Sequence, residues 1–512
     1  MTEPFRNEPI VDFSRDEEAR RAQRAAVDAF KAVQAPVVIG GKRLKTRAHI
    51  DAANPCAPGE IVGVAGKADP ALAKRAIEKA YETFASWSRK PPGARAGVLF
   101  RAAGLMRQRR WELNATLILE VAKTWTEADA DTAEAIDFCE YYGREMLRLA
   151  GENPVTPVPG EKNRQVYLPL GVGVVISPWN FPCAILTGMT AAALVTGNTV
   201  VLKPASVSPI IAFKVFEIFE EAGVPAGALN YLPAGGGEVG DLLVDHPLTR
   251  FIAFTGSKEV GVRIHERAAV LHPGQLWLKR TVVEMGGKDA ILVDDDADLE
   301  AASAAIVQSA FGFQGQKCSA CSRAIATAKV YDRVLDLVLR RTAALKIGDA
   351  RDPESQVSAV ASARQLETVL DYIRIGKRCG RLVAGGRRLP RAGYFVEPAV
   401  FADVNPKSRL GQEEVFGPVL AFMRARDFGH ALRITNGTPY GLTGSYFGEA
   451  NWKRAAEEFH VGNLYHNRKC TGAWVGGHPF GGFNLSGTDS KAGGRDYLGL
   501  FLQAQLISEK VS

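Results

Sequence analysis

The chain contains no uninterrupted apolar run of 18 residues, which argues against a membrane-spanning helix. Its first 19 residues mix acidic, basic and polar side chains without the apolar stretch of a secretory leader. Cysteine is sparse and odd in number. The seven, Cys56, Cys139, Cys183, Cys318, Cys321, Cys379 and Cys470, are not the dense even set that staples a small secreted domain, so a reducing, cytoplasmic location is the expectation. The eight histidines are scattered, which leaves no close pair to begin a metal site, and no metal is expected. Neither charge sign dominates: 63 Lys plus Arg against 56 Asp plus Glu leaves +7, too diffuse an excess to point to nucleic acid. No internal repeat is visible, and no low-complexity segment beyond alanine richness. What is present is ordinary globular usage, 46% hydrophobic and 23% charged over 512 residues. That length suits roughly two to four domains.

Residues 14–34 read as a helical arm, with Ser14 and Glu17 at capping-box spacing. Short extended pieces at 37–39 and 61–64 precede helix-forming sequence from 70 to 150. Within it, Arg107, Arg109 and Arg110 beside Trp111 read as a solvated helix face. A proline-rich passage at 154–160 leads into an extended run at 166–168, suited to a flap. From Gly171 the texture alternates: extended segments at 172–176, 199–202, 228–232 and 251–254 are separated by helix-forming stretches, the pattern of a parallel sheet with crossover helices. After 251–254 comes Thr255-Gly256-Ser257 and then a helix. A glycine turn between strand and helix offers backbone amides and the positive end of a helix dipole to a phosphate. A second α/β region starts near Ala290 and runs to about residue 480. The simplest division is an arm at 1–36, one α/β domain from 37–150 and 170–286, a second from 287–480, and a flap from 151–169 with 481–512.

Among candidate reactive groups, Cys318 stands in a glycine-broken loop, Phe313-Gln314-Gly315-Gln316-Lys317-Cys318, that leaves a helix. A cysteine nucleophile acts as thiolate, and loop amides with a cation such as Lys317 nearby are the setting in which its pKa is lowered. The alternative is a buried inert thiol. Cys318 and Cys321 also form C-x-x-C, but no second such pair supplies further metal ligands, and no thioredoxin-like unit surrounds it. Glu284, followed by Gly286-Gly287, closes an apolar stretch and can serve as general base; it can equally be a surface residue or cap. Asn180, between Pro178 and Pro182, ends the first strand of the parallel sheet, where its amide hydrogens can hold an oxyanion or merely shape a turn.

Taken together, the strings PWNFP, KPAS, FTGSKEVG, EMGGKD, QGQKC, EEVFGPV and PFGGFNLSG resemble, in order and spacing, the aldehyde dehydrogenase superfamily from about residue 37 onwards. GQLWLKR, FGFQGQKCSACSR, NRKCTGA and SGTDSKAGG are similar, more narrowly, to its branch that oxidises L-glutamate γ-semialdehyde to L-glutamate, the second oxidation of proline breakdown. The resemblance implies a Rossmann-like dinucleotide-binding domain (37–150 and 170–286), a catalytic domain (287–480) and a small β flap for oligomerisation. It implies attack on the aldehyde by Cys318, an oxyanion held by Asn180 and the Cys318 amide, hydride transfer to a nicotinamide, and thioester hydrolysis by water that Glu284 activates.

The same resemblance implies that Lys203 bonds the adenosine ribose and that Gly256 and Ser257 meet the pyrophosphate. Glu414 would bond the nicotinamide ribose, Phe416 would pack beside the ring, and Ile176, Pro178 and Trp179 would complete the cofactor site. Ser206 stands where many NAD-preferring relatives carry glutamate, so NAD with measurable use of NADP is expected. Around the substrate, Ser319, Gly472 and Ala473 would hold an α-carboxylate while Phe181 and Phe480 wall the aliphatic chain. The alternative for the two phenylalanines is core packing. Trp474 and His478 depart from the residues expected in relatives. A homo-oligomer is expected through residues 154–168 and a strand at 498–507. Competing readings are a dehydrogenase of another semialdehyde, such as that of succinate, and a non-redox protein, either a cysteine esterase or an inactive binder.

Overall fold

The computed structural model describes residues 3–151 and 153–511, so positions 1 and 2 of the expected arm, 152 of the flap and 512 lie outside the described residues. A seven-stranded sheet runs in the spatial order Arg280–Glu284, Thr249–Thr255, Val172–Ile176, Thr199–Lys203, Leu229–Tyr231, Val37–Ile39, Lys42–Leu44. The first five strands are mutually parallel. The last two join antiparallel. Strands 172–176 and 199–203 are Val-rich and buried almost throughout, as a sheet covered on both faces requires. The chain enters this sheet in the middle, at 172–176, grows one way through 199–203 and 229–231, then returns to the other side with 249–255 and 280–284. That reversal opens a crevice at the carboxyl ends of 172–176 and 249–255, the usual ligand position in an open α/β sheet.

A second seven-stranded sheet follows the order Arg381–Ala384, Ala399–Ala402, Val419–Ala425, Arg323–Thr327, Ala290–Val293, Thr443–Phe447, Asn463–His466, parallel except for its first strand. Strand Leu502–Lys510 pairs antiparallel with Glu161–Pro169 and is mostly exposed. The carboxyl-terminal strand thus starts later than the expected 498–507, because 497–501 coil into a 3₁₀ turn buried through Tyr497, Leu498 and Phe501.

Two local expectations are corrected. The arm helix spans only Glu17–Asp28, and its cap is Asp16, whose carboxylate accepts the Ala19 amide; the Ser14 hydroxyl instead donates to Asp12. Residues Val33–Ala35 then form a strand parallel to part of Ala57–Gly66. The arginine cluster is not a uniformly solvated face: Arg110 is buried, its guanidinium gripping Asp129 at 2.7 Å and donating to the Pro9 carbonyl. Arg107 is half-exposed and pairs with Glu8 and Glu140. Asp129 belongs to the 25-residue helix Trp125–Leu149, whose inner face also buries Asp131 and Asp137.

Candidate active site

The nucleophile loop begins where helix Leu299–Phe311 stops. Phe313, Gln314 and Gly315 all take left-handed backbone angles (φ 48, 55 and 64), turning the chain sharply. For the two non-glycine residues this conformation costs roughly 1–2 kcal/mol each. Side chains hold it in place. Gln314 Nε2 donates to the carbonyls of Ala122 and Ala359, and Gln316 Oε1 accepts the Ala361 amide. At Gly315 a Cβ would lie 2.4 Å from the Gly417 carbonyl oxygen, so glycine is required by space as well as by angle.

The turn delivers Cys318, partly exposed, to the wall of a cavity of about 350 Å3. Phe181, Glu284, Ser319, Gly472, Ala473 and Phe480 line the same cavity. Asn180 is buried and donates one amide hydrogen to the Gln316 carbonyl at 3.2 Å, which leaves its second hydrogen available. Among the described residues the Cys318 amide finds no backbone acceptor, and Asn180 is held two residues away, at the Gln316 carbonyl, rather than in the cavity lining itself.

The electrostatics differ from the sequence expectation. Lys317 does not serve the thiol: its ammonium is 2.7 Å from Glu127. Burial, with the carboxylates of Asp289, Glu414 and Glu284, pushes the Cys318 thiol well above its ordinary value, against one bond from the Ser319 amide. Its proton therefore needs an acceptor. Glu284 ends the edge strand, in register with Thr255. One of its oxygens accepts the Ser490 hydroxyl at 2.5 Å and the Ser490 amide at 3.4 Å, while the other is buried without a partner. Burial pushes Glu284 up to about 7, against the bonds from Ser490.

On the crevice side, Ile176 is in register with both Lys203 and Phe254, and Pro178 and Trp179 continue that strand. Trp179 meets Phe416, from the second α/β region, edge-on at 5.3 Å. The Lys203 ammonium is buried with one hydrogen-bond acceptor, the Pro204 carbonyl, and burial pulls it down to about 8. A buried cation with unused donors suits the hydroxyls of a ribose. Ser206 is exposed and its hydroxyl reaches the Ala234 carbonyl at 3.4 Å. Ser257 caps helix Lys258–Ala268 through the Val260 amide. Gly256 precedes that cap, and its own amide donates to the Glu284 carbonyl. Glu414 accepts the Gly287 amide at 3.0 Å, and burial pushes it up to about 7. The adjacent glycines explain the double-glycine motif: a Cβ on Gly286 would lie 2.0 Å from the Glu414 carboxylate, and one on Gly287 2.5 Å from the Cys318 carbonyl oxygen. These groups fit a nicotinamide dinucleotide.

In the lining of the same cavity, among the described residues, the amides of Gly472 and Ala473 have no acceptor, and the Gly472 carbonyl accepts from Arg468. Ser319 is buried in the same lining, so two amides and a hydroxyl share that wall, and Lys317, Arg468 and Lys469 line the cavity with them. Trp474 and His478 are bonded to each other, Trp474 N to His478 Nδ1 and His478 N to the Trp474 carbonyl. Sequence reasoning missed the buried Lys123–Asp131 pair, 3.4 Å apart behind Phe181, with the Lys123 ammonium 3.9 Å from that ring's centre. It also missed Ser490, which sits in a quoted motif but carries no local signal for its bond to Glu284. Cys321 turns away from the cavity, buried, its thiol bonded to the Arg323 carbonyl. Among the described residues no three His, Cys, Asp or Glu side chains converge as a metal site.

A profile of the "Aldehyde dehydrogenase family" matches residues 43–507. A 1-pyrroline-5-carboxylate dehydrogenase from Geobacillus kaustophilus is 57% identical over 513 residues, spanning 99% of this chain and 100% of that protein. The solved 1-pyrroline-5-carboxylate dehydrogenase from Thermus with bound NAD superposes with a TM-score of 0.98 at 52% identity, covering 99% of each chain. A betaine aldehyde dehydrogenase from Staphylococcus aureus in complex with NAD+ is more distant, with TM-score 0.89 at 27% identity over 96% of this chain and 98% of that one. A thiol and a carboxylate facing one cavity, a dinucleotide crevice beside them and a match over nearly the whole length lead to one conclusion: the chain belongs to the aldehyde dehydrogenase family.

Proposed function

We propose that this protein oxidises L-glutamate γ-semialdehyde, the open form of 1-pyrroline-5-carboxylate, to L-glutamate with NAD as principal cofactor, the second oxidation of proline breakdown. Cys318 attacks the aldehyde carbon, and its proton passes to a base or water in the cavity. The remaining Asn180 hydrogen and the Cys318 amide hold the developing oxyanion, whose full charge exists only after attack. A bound nicotinamide supplies the hydride acceptor that turns the hemithioacetal into a thioester. Lys203, Glu414, Trp179 and Phe416 would hold the cofactor, with Ser257 at the helix start and Ile176, Pro178 and Gly256 shaping the crevice. Glu284 then takes a proton from water, hydroxide adds to the acyl carbon, and the C–S bond breaks to release carboxylate and thiol.

The observation carrying this reading is the lining of the cavity: the thiol of Cys318, the neighbouring Ser319, the two open amides of Gly472 and Ala473, and the rings of Phe181 and Phe480. That layout suits an aldehyde with a carboxylate several bonds away. The relatives named 1-pyrroline-5-carboxylate dehydrogenase support the same substrate. The test is a steady-state comparison of glutamate γ-semialdehyde with succinate semialdehyde, each with NAD and NADP. A higher kcat/KM for the amino-acid aldehyde is expected; preference for succinate semialdehyde would replace this reading with that one. We also propose a homo-oligomer, since the exposed ribbon of Glu161–Pro169 and Leu502–Lys510 is marginal alone and gains from pairing with a partner sheet. No helix among the described residues is long and apolar enough to cross a membrane.

A further inference from the structure

The segment before the arm helix contributes to the lining of the cavity, although no catalytic step uses it. Glu8 and Ile10 line the cavity, and three anchors fix the segment to helix Trp125–Leu149 and its neighbour. Asp137 accepts Asn7 Nδ2 at 2.8 Å and the Glu8 amide at 2.6 Å, and Asp129 accepts the Val11 amide at 2.7 Å. Arg110 donates to Glu8 and to the Pro9 carbonyl. The second hydrogen of Asn7 Nδ2 goes elsewhere: it reaches the carbonyl of Val475 at 2.9 Å. Val475 lies two residues beyond Ala473, in the loop whose open amides belong to residues lining the same cavity as the thiol. One residue later, Gly476 takes φ +78 and leaves just enough room for Phe5, whose ring also packs edge-on against Tyr141.

We infer that residues 5–10 form a strap that sets the pitch of the 472–475 loop, with Asn7 as a positioning residue for recognition of the substrate's amino-acid head. The inference rests on the proposed substrate. Asn7 touches neither the thiol nor the crevice; it ties the loop to a long helix through two bonds of one amide group. Its loss frees the Val475 carbonyl and lets the Gly472 and Ala473 amides drift from convergence. An aldehyde without a carboxylate does not use those amides and should not register the change.

The experiment is Asn7→Ala in the full chain, assayed with NAD on glutamate γ-semialdehyde and on propanal. The expected result is a five- to twenty-fold rise in KM for the semialdehyde with kcat within two-fold, while kcat/KM for propanal stays within two-fold of the parent. Asn7→Ser, whose short hydroxyl keeps at most one of the two bonds, should fall between parent and Asn7→Ala, and it serves alone if Asn7→Ala does not fold. Parallel losses on both aldehydes, or no change on either, would overturn the strap. A parent enzyme that does not favour the semialdehyde over propanal would overturn the substrate reading and the strap with it, whereas a parent that does, combined with an unaltered Asn7 variant, removes the strap alone.

Discussion

Replacing Ser490 by alanine should move the pH dependence of thioester hydrolysis without touching the thiol. Glu284 must be ionised to take a proton from water, and burial already pushes it up to about 7. The hydroxyl of Ser490, 2.5 Å from one carboxylate oxygen, opposes that push by stabilising the ionised form. A hydrogen bond to a charged group contributes about 1.5–3 kcal/mol, part of which the protonated acid also enjoys, so its removal should raise the pKa by about one unit at 1.36 kcal/mol per unit. The sign follows: a base with a raised pKa loses its active form at any pH below the new value. The parent should gain hydrolytic rate through pH about 7 and the Ser490→Ala variant through about 8, a deficit of about five-fold at pH 7 that vanishes above about pH 9. Rapid-mixing measurement of NADH separates the stages, because the burst reports acylation and the later slope reports hydrolysis. An unshifted slope profile, or one displaced to lower pH, would refute the assignment of Glu284 as the base.

Cys318→Ala should abolish NADH formation while NAD affinity by calorimetry changes less than three-fold; retained turnover would shift the nucleophile elsewhere. Ser206→Glu should reduce kcat/KM with NADP at least ten-fold and leave NAD within two-fold, since a carboxylate there opposes a 2′-phosphate. Asp131→Ala should lower stability by about 3–5 kcal/mol in chemical denaturation, because it strands the Lys123 ammonium in a fully buried site and removes the acceptor of the Ala184 amide. Adding Lys123→Met should recover part of that loss. Light scattering at micromolar concentration should report an assembly larger than one chain; a monomer alone would remove the proposed role of the 161–169 and 502–510 ribbon.

The strands of the first parallel sheet were legible because fully buried strands carry their own signal: 172–176, 199–202 and 251–254 read from valine and phenylalanine runs bounded by glycine turns, and the observed strands run 172–176, 199–203 and 249–255. Cys318, Glu284 and Phe480 were legible as members of motifs and do line one cavity. What escaped were contacts set by chain neighbours far away in sequence. Arg110 looks solvated until Glu8, 102 residues earlier, and Asp129 close over it. Lys317 looks free to activate the thiol until Glu127, 190 residues earlier, takes its ammonium. The Ser14 cap failed for a local reason: Asp12 competes for its hydroxyl and Asp16 is better placed.

The paired glycines at 286 and 287 join what look like separate modules. One admits the carboxylate of Glu414 and the other the carbonyl of Cys318, so a side chain added at either would press on the group proposed to hold the dinucleotide or on the loop that seats the sulfur. The two proposed tasks, holding the cofactor and seating the nucleophile, thus meet at one peptide unit. An engineer who grafts the crevice of one relative onto the substrate pocket of another would have to transplant this hinge-point intact.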